Sequence, residues 1–196
     1  MSISTVFAAS VAGALLFVSA QAADISATEA RARDFSFQGV RFGCSIEQFK
    51  QIHPNAVRVP DPTGEWKSVM KTRPDEKLDA VLYKVKREER DSEGRPKFQF
   101  RSIEYLFVDG AMVEFYGIDY MADFEASKRY LKLIHETLGE PAEEHYYAEA
   151  GSELEWHFPK VDREFMFRQV FLGNTAGYVG RDTAAIRELE RKRAER

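Results

Sequence analysis

The chain has 196 residues, 44% hydrophobic and 31% charged, a composition that excludes a disordered or fibrous protein. Its formal net charge is −4 and no basic stripe is visible, which excludes a polyanion-binding surface of the nucleic-acid type. Aromatics reach 13%, with 15 Phe, so apolar material for a core is ample.

The first 22 residues carry no charged side chain, and Val6 to Val18 is a run of small and apolar residues. Ala20-Gln21-Ala22 then fits the small-x-small rule for signal cleavage. The expectation is export to a bacterial periplasm by a signal peptide, residues 1–22, cut between Ala22 and Ala23. The alternative is an uncleaved anchor, since only the α-amino group supplies positive charge at the start. Against the anchor, the run holds Ser10, Gly13 and Ser19 and barely reaches the roughly 18 apolar residues that a spanning helix needs. No later segment reads as a membrane span.

Residues 23–36, with Glu29, Arg31, Arg33 and Asp34, read as a polar lead-in. Phe37 to Ser45 reads as a short strand closed by Gly43. Cys44 within it is the single cysteine, so a disulfide inside the chain is excluded. It lies too far past the cut to be a lipid-bearing first residue. Two fates stand for a lone thiol in an oxidising compartment, burial or an intermolecular bond, and its apolar neighbours Phe42 and Ile46 favour burial. Ser45 and Gln48 have capping-box spacing. Ile46, Phe49 and Ile52 recur at helical intervals until Pro54 ends the helix. Pro60, Asp61 and Pro62 mark 55–63 as loop.

A short strand is expected from Trp66 to Met70, broken at Pro74 and Asp75. From Leu78 to Arg87, Val81, Tyr83 and Val85 alternate with Leu82, Lys84 and Lys86, the period of a strand. A charged turn, Glu88 to Pro96, leads into a second long strand from Lys97 to Val108. Asp109-Gly110 predicts a two-residue hairpin turn with positive φ, returning as a third strand from Ala111 to Ile118. A second helix opens at Asp123, with Phe124, Ser127, Leu131, Ile134 and Leu138 on one face. Gly139 is placed as its left-handed end and Pro141 bars continuation. Strands follow at His145–Glu149, Leu154–Phe158 and Glu164–Phe171, with turns at 150–152 and 159–162. Arg181 to Arg196 reads as a charged surface helix.

This order predicts one α+β domain over 37–180, an antiparallel sheet with helices packed on one face, followed by a C-terminal surface helix over 181–196. Val40-Arg-Phe42 and Val113-Glu-Phe115 hint at a duplicated unit, which would divide the domain into two helix-plus-β-meander halves, 37–118 and 119–180.

Gly39-Val-Arg-Phe-Gly-Cys-Ser-Ile-Glu-Gln-Phe49 resembles a pattern of small exported α+β modules: Gly, three residues, Gly, an apolar residue, Ser or Thr, then a helix. It is similar to that of the outer-membrane assembly lipoprotein family and the β-lactamase-inhibitor protein family. Leu138-Gly139-Glu140-Pro141 resembles the helix end of the same modules. The resemblance covers about fifteen residues, and its physical content is a turn, a cap and a stop. It implies a protein-binding role without chemistry. Two departures matter: the lipid-acceptor cysteine is lacking, so no membrane anchor is implied, and Cys44 stands where the pattern usually has Met.

Four histidines are available, His53, His135, His145 and His157, none at helical metal-ligand spacing. If Gly151 centres a three-residue turn, His145 faces His157, Tyr147 faces Glu155 and Glu149 faces Glu153. Two imidazoles with carboxylates nearby can hold Zn²⁺ or Cu²⁺, so His145 and His157 are the metal-ligand candidates, set against an ordinary solvated sheet face. Ser45 is better used as a cap than as a nucleophile. Cys44 would need a base, and His53 lies roughly two helical turns away. No catalytic or cofactor-binding residue is assigned, and no cofactor is expected. Phe98, Phe100, Tyr105, Phe107, Phe115 and Tyr116 crowd two strands, either as an aromatic core or, turned outward, as a binding patch. The charged tip from Arg87 to Arg95 offers steering for a partner.

The expected function is therefore a non-catalytic periplasmic module that recognises a protein partner. A small-ligand or metal carrier is the alternative, and an envelope hydrolase comes third.

Overall fold

Helix α1 (Ala27–Arg33) starts at a capping box, in which Ser26 and Glu29 each accept the other's backbone N–H. The computed structural model describes residues 25–60, 74–90, 96–120, 131–132, 134–147, 151–170 and 175–196. The polar lead-in is thus a helix, with Ala32 fully buried on its inner side. What reads as one strand from Phe37 is a tight hairpin of β1 (Ser36–Phe37) and β2 (Val40–Arg41), turned at Gln38 and Gly39, both at positive φ. Helix α2 (Ile46–Ile52) begins at the Ser45–Gln48 capping box, as its spacing predicts, and stops before Pro54.

The segment expected to be loop after Pro54 contains strand β3 (Val57–Val59), too short to show alternation. The strand expected from Trp66 to Met70 lies outside the described residues. A short 3₁₀ turn (Glu76–Leu78) leads to β4 (Ala80–Arg90), then β5 (Pro96–Val108) and β6 (Ala111–Tyr120). Asp109 and Gly110 have φ of 49° and 78°, the conformation that a two-residue hairpin turn demands. Helix α3 is described at 131–132 and 134–138, and Gly139 closes it at φ 78° with its N–H on the His135 carbonyl. Next come β7 (Glu143–Tyr146), β8 (Gly151–Phe158), β9 (Arg163–Val170) and β10 (Thr175–Asp182). Helix α4 (Thr183–Ala194) is capped by Asp182. Strand β10 has no counterpart in the sequence-based elements.

The fold class is α+β. Among the described residues, eight strands pair antiparallel in the order β3-β4-β5-β6-β10-β9-β8-β7, so two four-strand meanders meet where β6 pairs with β10. Alternation puts one set of side chains on each face. On the first face Ala32 of α1, Phe49 of α2 and Leu138 of α3 pack on Tyr83, Tyr105, Phe107, Phe115, Trp156 and Phe167. On the second, Leu189 of α4 covers Leu82, Leu106, Val113, Tyr116 and Val179. The C-terminal helix is thus charged outside but seals a second core, since Ile186 and Leu189 are buried.

Candidate functional site

The second face of the sheet carries a line of charges running from its core to its edge. Glu114 on β6 stands directly opposite Arg181 on β10, Arg181 opposite Glu164 on β9, and Glu164 opposite His157 on β8. Arg181 Nε donates to Glu114 Oε1 at 2.5 Å, with both side chains buried. Its Nη1 lies 3.7 Å from Glu164 Oε2, and Glu164 Oε1 lies 3.5 Å from His157 Nδ1. His157 Nε2 in turn stands 3.4 Å from Glu155 Oε2 and 3.9 Å from Glu143 Oε1. Side-chain exposure climbs along the row, from nil at Glu114 to 37% at His157 and 56% at Glu143, so its outer end meets solvent and its inner end does not.

That gradient sets the electrostatics. Burial pushes the Glu114 carboxyl above the ordinary carboxylate range, and the Arg181 charge beside it only partly offsets the shift. Burial and the Glu114 charge likewise raise the Tyr116 phenol. Beside this row, Lys84 Nζ lies 3.5 Å from the buried Glu104 carboxylate. The inner charges hold the β6–β10 seam, while the outer ones are reachable.

The two histidine candidates share this face but do not face each other. His145 pairs with Glu153 and Glu143 with Glu155, a register four positions from the expected one. Tyr147, just past β7, donates its N–H to the Gly151 carbonyl, and Gly151 opens β8 instead of centring a turn. Because the shift is even, the histidines keep their face. Glu143 stands between them, with Oε2 at 3.3 Å from His145 Nε2 and Oε1 toward His157. Tyr147 reaches Glu153 at 3.5 Å instead of Glu155, and Glu149 lies outside the described residues.

The other expected residues take structural places. Tyr105, Phe107, Phe115 and Tyr116 are buried, so they build the core and not an outward patch. The side chains of Phe98 and Phe100, and the hairpin tip beyond Arg90, lie outside the described residues. Cys44 is half-buried against the first core, and burial raises its thiol, the reverse of nucleophile activation. His53 is buried beside Phe49 and Tyr105, and His135 lies edge-on to Trp156.

Exposed aromatics occur elsewhere, on the last strand. All four residues of β7 are exposed; Tyr146 is 73% exposed and Tyr147, just beyond, 49%. Tyr146 donates to Glu144 Oε1 at 2.5 Å. Among the described residues, strand β7 pairs with β8 alone and ends the sheet, so its outer backbone edge faces away from the ladder. The sequence signal was available, since Glu143-Glu-His-Tyr-Tyr147 has no alternation and so no buried side. Comparison with family models, with curated proteins and with solved structures finds no match.

Proposed function

We propose that this chain is a non-catalytic binding or assembly module, exported to the periplasm by residues 1–22, that recognises a protein partner. The β7–β8 edge is its docking surface. The observation carrying this reading is Tyr146 and Tyr147 exposed on a terminal strand of a sheet whose other described aromatics are mostly buried. Tyrosine is enriched at interfaces because it offers apolar area with a polar tip at low entropic cost. A strand edge adds main-chain hydrogen bonds to an extended segment. Glu143, Glu144 and Glu155 flank it, so the partner segment is extended and basic. The resemblance of Gly39 to Phe49 to exported protein-binding modules supports the same role.

Capture of partners from envelope extract tests the proposal, comparing wild type with the Tyr146→Ser/Tyr147→Ser double variant. A protein retained by wild type and lost with the variant is the expected result. Turnover of an envelope substrate that disappears on mutating His145 or His157 would contradict it.

A further inference from the structure

We propose that Glu155, His157 and Glu164 form a three-ligand site for a divalent transition-metal ion of the zinc class. One donor atom from each lies within 4.8 Å of the others, and among the described residues this is the one group of three such donors so placed. The proposal needs no protein partner, although Glu155 also flanks the docking edge.

The ladder builds the arrangement. Glu155 and His157 are two apart on β8 and so share a face, and Glu164 is the registered neighbour of His157 on β9. All three therefore project from paired backbone instead of a loop, which limits the reorganisation needed to close on an ion. The two carboxylates stand on different ring nitrogens, Glu155 Oε2 3.4 Å from Nε2 and Glu164 Oε1 3.5 Å from Nδ1, and one ligand atom from each of the three residues lies within 4.8 Å of the others. With metal–ligand bonds of about 2.0–2.2 Å, the donors of a tetrahedral site lie roughly 3.3–3.6 Å apart, so closing on one ion takes a rotamer change that brings one carboxylate to the ring nitrogen the other already faces.

Charge points the same way. Glu143, Glu155 and Glu164 each place a carboxylate oxygen within 3.9 Å of one imidazole, a local excess of negative charge. Arg181 lies nearer to Glu114 than to Glu164, at 2.5 Å against 3.7 Å, and the neighbouring Arg168 is bonded to Glu153. A dication complements this local excess of negative charge. An imidazole with two carboxylates is a donor set for zinc rather than for magnesium or calcium, which take oxygen shells. Three protein ligands leave one coordination position for solvent or for Glu143. Arg181 Nη1 approaches Glu164 on its Oε2 side, at 3.7 Å, while Oε1 is the oxygen toward the ring.

The test is titration calorimetry of the tag-free full chain with Zn²⁺ after chelator treatment, together with the visible spectrum of the Co²⁺ form. Near-UV circular dichroism of each variant checks the fold, which the partial exposure of the His157 and Glu155 side chains leads one to expect is retained. One equivalent of Zn²⁺ and four-coordinate cobalt bands are expected in wild type. His157→Ala and Glu155→Gln should each weaken binding at least tenfold, while His135→Ala does not. Absence of saturable binding overturns the proposal. So does binding that survives His157→Ala, or that falls equally with His135→Ala.

Discussion

The ring of Tyr178 occupies the space that a side chain at Gly117 would fill. The two residues are registered opposite each other across β10 and β6, and a Cβ on Gly117 would stand 1.9 Å from the Tyr178 Cε2. Phe115 repeats the arrangement in the other direction, lying over Gly180, where a Cβ would meet its Cε1 at 2.3 Å. Phe37 stacks on Phe115 at 4.4 Å and holds that ring down. The seam between the two meanders is therefore built from reciprocal ring-over-glycine pairs on one face and the Glu114–Arg181 pair on the other.

Gly117→Ala should accordingly destabilise the protein by about 1–3 kcal/mol, the usual cost of overpacking a filled core. Urea denaturation checks it: the midpoint falls with little change in slope. An unchanged midpoint would mean that the Tyr178 ring can move aside freely.

The buried pair should respond asymmetrically to loss of either partner. Glu114→Leu leaves a buried guanidinium without its nearest carboxylate, and arginine cannot shed its proton, so about 3–5 kcal/mol is expected. Arg181→Met leaves a carboxyl that can become neutral, and the expected loss is smaller, about 1–3 kcal/mol. Equilibrium unfolding of both variants decides the order, and equal losses would contradict the account.

Glu114 also gives the stability a pH dependence. Its folded carboxyl holds a proton above the range where the unfolded one, near the ordinary value of about 4.3, has lost it. The folded state then binds more protons than the unfolded state, so this group's contribution falls as pH rises from that value through the raised one. Glu114→Gln removes this trend and keeps an acceptor for Arg181. The stability difference between variant and wild type should move in the variant's favour as pH rises above about 4.3. A difference that stays constant with pH would count against a raised carboxyl.

At the start of α2, Ser45→Ala removes the oxygen that accepts the Gln48 N–H at 3.2 Å. Because α2 presents Phe49 to the first core, the fraying should reach the whole fold and cost about 1 kcal/mol. Thermal unfolding of the variant measures it.

Much of the first meander was legible because its signals are local. Ser45–Gln48, Asp109-Gly110 and the alternation from Val81 to Val85 each specify structure within a few residues. Strand β10 was not legible, although it lies at the centre of the sheet. Gly177 and Gly180 interrupt its apolar alternation, and what fills the space over Gly180 comes from Phe115 on another strand. The burial of Tyr116 depends on the second core beneath α4, again a fact of tertiary structure. Of the site, the direct His145–His157 pairing was not legible, and their shared face survives only because the true β7–β8 register differs from the expected one by an even number of positions. The place of Glu164 beside His157 was not legible either, because it needs the β8–β9 register.

The proposed docking role rests on the β7 edge, and a photo-crosslinking side chain introduced at Tyr146 in the full chain tests it most directly. The account predicts a specific protein adduct in the bacterial envelope that weakens when Glu143 and Glu144 are changed to glutamine. The same group at exposed Val57, on the opposite edge of the sheet, should give none. Identical adducts from both edges, or no adduct at Tyr146, would contradict it.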